Sequence, residues 1–442
     1  MAQFSKTATA AGTLPTDRSE SVFVDYKPAF TPHQATIEAL RCLYCSDAPC
    51  MTACPTHIDV AQFIRKIATG NLDGSARTIF DSNILGTSCA RVCPVETLCA
   101  GACVYNQLGH PAIQIGRLQR YVTDLAVEAG TQFFEAGAST GKKVALIGAG
   151  PASLACAHEL RRLGHSPVIF EKRQELGGLN TFGVAPHKMK AETSLQEVEW
   201  ILGIGGIEVR TGVEIGNGLA LQQLERDFDA VFLGMGLGPD TPMAVPGADL
   251  PGVVGAVAWI EEVKLKKLNL SAIRSVLIIG GGNTALDCVR EALTLGIPDV
   301  RLVYRGTVDG MPGYQHEWKS AVLAGARAEW QAVPMAFEGT GRVQKAVCAK
   351  LDAKKQPTGE TVSLDADLVL MAIGQSKLGE LVSSLGGIAV AKGVVQAGAD
   401  GATGRKGWFA GGDCKNGGKE VVNAAAEGKA AAQGIDHYLK TM

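Results

Sequence analysis

The sequence predicts a multidomain α+β chain: an N-terminal α-helical domain built around metal, followed by two Rossmann-like α/β nucleotide-binding domains. Three observations predict it. Eight of the twelve cysteines fall between Cys42 and Cys103. An apolar run enters a glycine turn and a helix start at Val144–Ser153, and the pattern returns at Val276–Ala285. A chain of 442 residues with 46% apolar composition has room for about three domains with full cores.

Residues 1–30 are polar and read as an N-terminal extension. A helical pattern begins around Thr31–Leu40, with Pro32 near its start. The cysteines then come in two runs, Cys42-x2-Cys45-x4-Cys50-x3-Cys54-Pro55 and Cys89-x3-Cys93-Pro94-x4-Cys99-x3-Cys103. Paired runs that each contain Cys-Pro suit paired iron–sulfur clusters, in which one cysteine of a run serves the other cluster. Between them, Val60–Ile67 and Ala76–Ile84 carry apolar residues at three- and four-residue spacing and read as short helices. Residues 31–126 therefore form a helical cluster domain, and the glycine-rich 127–142 a linker.

Other readings of the cysteines fit less well. A disulfide scaffold needs an oxidising compartment, and the N-terminus shows no basic segment followed by an apolar stretch. Zinc would want two compact Cys-x2-Cys pairs, and only Cys42 and Cys45 make one. The isolated Cys156, Cys288 and Cys348 read as buried structural thiols. A formal charge of −2 argues against nucleic-acid binding by counterion release, and no apolar run approaches the length of a membrane span. A soluble, cytoplasmic protein is expected.

From Lys143 onward, short β-branched runs alternate with Ala- and Leu-rich helical stretches, as in a parallel α/β sheet. In the first glycine turn, Gly148 and Gly150 let the chain approach a pyrophosphate at the start of a helix opening at Pro151. The next strand, Pro167–Phe170, ends in Glu171, placed to accept from a ribose hydroxyl. The third fingerprint position is Ser153 rather than glycine, so helix and strand must accommodate a hydroxymethyl group. In the second turn Gly280 and Gly282 take the same roles and Ala285 the third. Its following strand, Val300–Tyr304, ends in Arg305, which suits a 2′-phosphate, yet Gly306 follows where a second arginine would form a clamp. NAD and NADP both stay open. Near the end, Gly407–Asp413 reads as a strand with a glycine turn and a carboxylate, followed by a small-residue helix from Val421.

Together, GAGPAS at 148–153, Glu171-Lys172, the glycines at 177–178, LGMG at 233–236, GGGNTALD at 280–287, MAIG at 371–374 and GGDC at 411–414 resemble the flavoprotein reductases with two dinucleotide domains. That resemblance implies FAD in a first domain over 143–253 and 366–442, with an NAD(P)H domain inserted at 254–365. The cysteine runs and Ile115-Gly-Arg-Leu-Gln119 narrow it: from residue 30 on, the chain resembles the electron-input part of dihydropyrimidine dehydrogenase, with the glutamate synthase small subunit as a cousin.

Carried over by position, the resemblance implies one 4Fe-4S cluster on Cys42, Cys45, Cys50 and Cys103, and a second on Cys54, Cys93, Cys99 and Gln119. Cysteine counting alone would choose Cys89 over Gln119, because soft thiolates suit these clusters better than an amide oxygen. FAD is implied at Gly148, Ala149, Gly150, Pro151, Ala152, Ser153, Glu171, Lys172, Gly178, Leu179, Gly412, Asp413, Glu420, Val421 and Val422, with Lys188 where the family often has arginine. The pyridine nucleotide is implied at Gly282, Asn283, Thr284, Arg305 and Gly374.

In the single-chain enzymes an FMN-bearing barrel follows the position of Met442. The resemblance therefore implies a separate FMN and iron–sulfur barrel subunit that reduces uracil or thymine, in a hetero-oligomer. The alternative is a glutamate synthase small-subunit-like NADPH oxidoreductase or an NAD(P)H:ferredoxin reductase subunit. No acid–base catalyst stands out, and His187 and His316 are expected to face solvent.

Overall fold

The structure, a computed structural model, describes residues 14–442 other than 217 and 220. The first thirteen residues of the expected N-terminal extension thus lie outside the described residues.

The N-terminal domain is helical. Pro32–Leu40 starts at a capping box in which Thr31 accepts from the Gln34 N–H and the Gln34 side chain accepts from the Thr31 N–H. Asp59 and Asn71 cap Val60–Ala68 and Leu72–Ser82, whose apolar faces bury Phe63, Ile64, Ile79 and Phe80. Gly86–Val92 and the longer Ile115–Glu128 complete the packing around the cysteines. That last helix runs two residues into the segment expected to be linker. The rest of the segment is extended yet fixed: the Trp200 indole N–H donates to Thr131 O at 2.9 Å, and Phe133 packs on Phe80 and Trp200.

Two parallel five-stranded sheets follow. The first has the spatial order Trp408–Ala410, Ala230–Leu233, Lys143–Ile147, Ser166–Glu171, Glu208–Thr211. The second runs Arg327–Trp330, Asp299–Tyr304, Ser275–Ile279, Leu368–Met371, Val253–Gly255, and a three-stranded antiparallel sheet, 332–365, is appended to it. The chain leaves the first sheet after Leu233 and rejoins it at Trp408, so the second domain is an insertion. Leu368–Met371 pairs with Ser275–Ile279 and Val253–Gly255, which places these residues in the second sheet rather than the first. An apolar strand carries no label for its sheet, so a boundary drawn at 366 cuts too early. The two crossovers pair with each other: Gly238 N donates to Ser376 O and Ser376 N to Pro239 O, both at 2.8 Å.

Residues 18–30 form a strap across all three domains. Arg18 donates to Lys264 O at 2.6 Å and pairs with Glu20 and Glu192, while Glu20 accepts from the Ala191 N–H at 2.8 Å. Phe23 is buried in the second domain's core. Arg120 of the helical domain pairs with Asp25 at 2.6 Å and donates to Lys27 O. Beneath the strap, the Lys264 ammonium donates to Asn180 O, Val184 O and Met189 O. Burial lowers its pKa to about 8, with Glu20 and Glu291 pulling it back up. Lys264→Met would leave those three acceptors unmet and remove the buried positive charge that Glu20 and Glu291 act on. A loss of about 3–5 kcal/mol is expected in urea unfolding of the full chain; an unchanged midpoint would contradict this role.

Candidate cofactor sites

The first glycine turn is built by close backbone approach. Gly148 has φ +93°, and a Cβ there would stand 2.8 Å from Gly234 O. Gly150 has ordinary φ and caps the helix Pro151–Arg162. Gly178, at φ +56°, backs onto it so closely that a Cβ would meet Gly150 Cα at 2.8 Å. Gly412, at φ +72°, comes equally close to Ala152. The helix Val421–Lys440, entered through Glu420, lies against the same helix, with Gly428 facing Ala152 O where a Cβ would be 2.1 Å away. Val421 is half-buried and Val422 buried at its start. These approaches draw Gly148–Ser153, Gly178–Leu179, Gly412–Asp413 and Glu420–Val422 around one helix start, a cradle of backbone N–H groups suited to a pyrophosphate.

Three details refine the sequence reading. Among the described residues the buried Ser153 Oγ has no hydrogen-bond partner, and it fits because a Cβ on Gly234 would sit 2.1 Å from it: glycine just past the strand Ala230–Leu233 makes room for the hydroxymethyl group. Glu171 accepts from the Ala149 N–H at 2.8 Å and the Arg173 N–H at 2.9 Å, so it fixes the turn as well as ending the strand beside exposed Lys172. Asp413 is held up from the usual carboxylate range by burial.

The second turn repeats the geometry. Gly280 has φ +144°, and a Cβ would meet Ala372 O at 2.3 Å; Gly281 lies under the Tyr304 ring. Gly282, with φ −87°, has nothing within 4 Å of where a Cβ would stand, and it caps Asn283–Thr294. Asn283 Oδ1 accepts from the Tyr314 N–H at 3.1 Å. Thr284 is half-buried and Arg305 is exposed at the strand end. Gly374, at φ +110°, is likewise open, and its carbonyl accepts from the Thr241 N–H.

Two residues behave differently from expectation. Lys188, expected beside FAD, pairs with Asp287 at 2.7 Å and Glu317 at 3.1 Å, both on the second domain. A cation this buried needs carboxylates, and the inserted domain supplies them. His187, expected in solvent, is 4% exposed, and burial lowers its pKa. His316 is exposed as expected, stacked on Tyr314.

The cysteines separate in space into two groups. Cys42, Cys45, Cys50 and Cys103 line one cavity together with Val60, Ile64 and Ile115. Burial, then Cys42 and Cys103, push the Cys50 thiol up to about 11; Cys99 is raised to about 12 by burial and then by Cys54. Cys93 is raised by its contact with Cys89, by burial and by Cys99 and Cys54. Thiols this close would be deprotonated together by a bound metal, whose charge reverses the sign of these shifts. Among the described residues no three His, Cys, Asp or Glu side chains converge on a single ion. Four thiolates are the donor set that a 4Fe-4S cluster takes, so the chemistry of the four-thiol cavity fits one. Gln119 is buried, and its Nε2 donates to Gly86 O at 2.7 Å. Among the described residues no donor reaches its Oε1, the atom a metal would need. Cys156, Cys288 and Cys348 are buried and do not line the four-thiol cavity.

One functional candidate escaped the sequence reading. Glu197 is 1% exposed; its Oε1 accepts from the Thr87 N–H at 2.8 Å and the Ser88 N–H at 3.0 Å, and its Oε2 from the Ser88 hydroxyl. Burial raises its carboxyl to about 7, with the Ser88 and Thr87 bonds pulling it back. Its position between Ser194 and Ile201 on the apolar stripe of Ala191–Leu202 was the available signal.

Residues 142–428 match the pyridine nucleotide-disulphide oxidoreductase family. The chain belongs to that family. Residues 18–131 match a second description, dihydropyrimidine dehydrogenase domain II, 4Fe-4S cluster. Among relatives, the chain is 36% identical to the glutamate synthase [NADPH] small chain of Halomonas elongata, over 94% of this chain and 92% of that one. It is 34% identical to the NAD-dependent dihydropyrimidine dehydrogenase subunit PreT of Salmonella typhimurium, over 93% and 96%. The family fold is shared with FprA from Mycobacterium tuberculosis, at TM-score 0.58 and 18% identity over 68% of this chain and 85% of that one. Lactococcus lactis thioredoxin reductase aligns at TM-score 0.52 and 22% identity, over 68% and 100%. This member of the family is thus a flavoprotein NAD(P) oxidoreductase with a 4Fe-4S domain, and none of its described helices is long and apolar enough to cross a membrane.

Proposed function

We propose that the chain is the NAD(P)H-oxidising subunit of a two-subunit dihydropyrimidine dehydrogenase, delivering electrons to a partner FMN subunit that reduces uracil or thymine. The observation that carries this reading is the match of residues 18–131 to domain II of that enzyme. Bound FAD supplies the exchange between a two-electron hydride and the single electrons that iron–sulfur clusters carry. The chain's residues bind and orient. Gly148–Ser153, Gly178 and Gly412 cradle the flavin nucleotide, with Glu171 at its ribose; Gly282–Thr284 and Gly374 receive the pyridine nucleotide; Arg305 faces its outer phosphate or adenine.

For the clusters we assign Cys42, Cys45, Cys50 and Cys103 to one, and Cys54, Cys93, Cys99 and Gln119 to the other. Cys89 lies against Cys93 and is the rival fourth ligand. Gln119→Ala is expected to lose about four irons per chain, or to leave an altered cluster signal, while Cys89→Ala keeps about eight. The reverse result would reassign the ligand.

The similarity to glutamate synthase small chains favours a second reading, in which the partner makes glutamate. Copurification of the partner decides: uracil-dependent NADH or NADPH oxidation is expected, whereas glutamate formation from glutamine and 2-oxoglutarate would overturn the proposal.

A further inference from the structure

We infer that Glu197 is the positioning residue that holds the flavin-side turn and the ligand segment of the second cluster in one fixed arrangement. The inference rests on the assignment of that cluster to Cys54, Cys93, Cys99 and Gln119.

The geometry is a closed set of bonds between two domains. The helix Gly86–Val92 has no side-chain cap of its own, since its N-cap is Leu85. Its open Thr87 and Ser88 N–H groups are met by Glu197, which stands more than a hundred residues away on Ala191–Leu202. The Ser88 hydroxyl donates to Glu197 and accepts from the Asn180 amide at 3.0 Å. Asn180 belongs to Leu179–Phe182, the helix that opens at Gly178, whose backbone touches Gly150 in the flavin cradle. At the other side, the carbonyl of Gly86 holds the Gln119 amide, and the C-cap of the same short helix is Cys93. One carboxylate therefore fixes the helix that orients Gln119 and Cys93, and through Ser88 it ties that helix to the flavin turn.

Electron transfer over a gap between two cofactors depends on their separation and orientation, so a loosened link costs rate without touching either cofactor's contacts. Glu197→Leu keeps the packing volume and removes every acceptor. Ser88→Ala removes the hydroxyl that donates to Glu197 and accepts from Asn180, and leaves the Thr87 and Ser88 backbone N–H groups on Glu197.

The test uses the full chain, reconstituted anaerobically with FAD and iron–sulfur clusters. NADH or NADPH reduction of the flavin is expected at the wild-type rate in both variants. The subsequent flavin-to-cluster transfer, followed by stopped-flow absorbance, is expected to fall about ten-fold or more in Glu197→Leu and less in Ser88→Ala. Low-temperature EPR of the photoreduced protein is expected to show one altered cluster signal, with Glu197→Gln closer to wild type. Wild-type transfer rates and EPR signals in Glu197→Leu would overturn the inference. If that variant fails to fold, an unchanged Ser88→Ala does so. Wild-type chain binding only about four irons would instead sink the two-cluster assignment beneath it.

Discussion

Gly282→Ala is expected to fold, keep its flavin and iron, and bind NADH and NADPH about ten-fold or more weakly. The reason is a division of labour inside each glycine fingerprint. Gly280 is needed by the fold: its φ of +144° is costly for any other residue, and a Cβ would be driven 2.3 Å from Ala372 O. Among the described residues nothing requires glycine at 282, since a Cβ there meets open space at an ordinary φ. What its missing side chain leaves free is the approach of a phosphate to the start of Asn283–Thr294. Gly280→Ala is therefore expected to unfold the inserted domain, while Gly282→Ala weakens only the ligand. Isothermal titration with each nucleotide checks this, and unchanged affinity in Gly282→Ala would show that the nucleotide does not bind over this turn.

Cys50→Ser is expected to remove about four irons per chain and leave the flavin in place. Cys50 sits in the four-thiol cavity with Cys42, Cys45 and Cys103, in a domain separate from the Gly148–Ser153 cradle. Cys156→Ser is the control, because Cys156 is fully buried in the helix Pro151–Arg162 and does not line the four-thiol cavity. Iron and flavin assays on the purified variants separate the outcomes. Equal iron in Cys50→Ser and wild type would contradict the placement of a cluster in that cavity.

The glycine turns and cysteine runs were legible because their chemistry is local: spacing along a few residues sets which atoms converge. Ser153 marks the limit of that reading, since the residue that accommodates it, Gly234, follows a strand far along the chain. The strap was opaque for the same reason. Arg18 and Glu20 look like ordinary surface charges until Lys264 and Ala191, far along the chain, close over them. Lys188 was expected at the flavin and His187 in solvent; His187 is buried and Lys188 half-buried against the inserted domain, whose Asp287 and Glu317 come from another part of the sequence. The membership of Leu368–Met371 in the second sheet was not legible, because backbone pairing is indifferent to side-chain identity.

The most direct measurement is an anaerobic titration of the purified holoprotein with NADH and NADPH, counting flavin and iron beforehand and recording flavin absorbance and cluster EPR together. One flavin, about eight irons, and cluster signals that appear only after flavin reduction are expected. A flavin that is fully reduced and equilibrated with excess nucleotide, with neither cluster accepting an electron from it or passing one to a partner, would contradict the account.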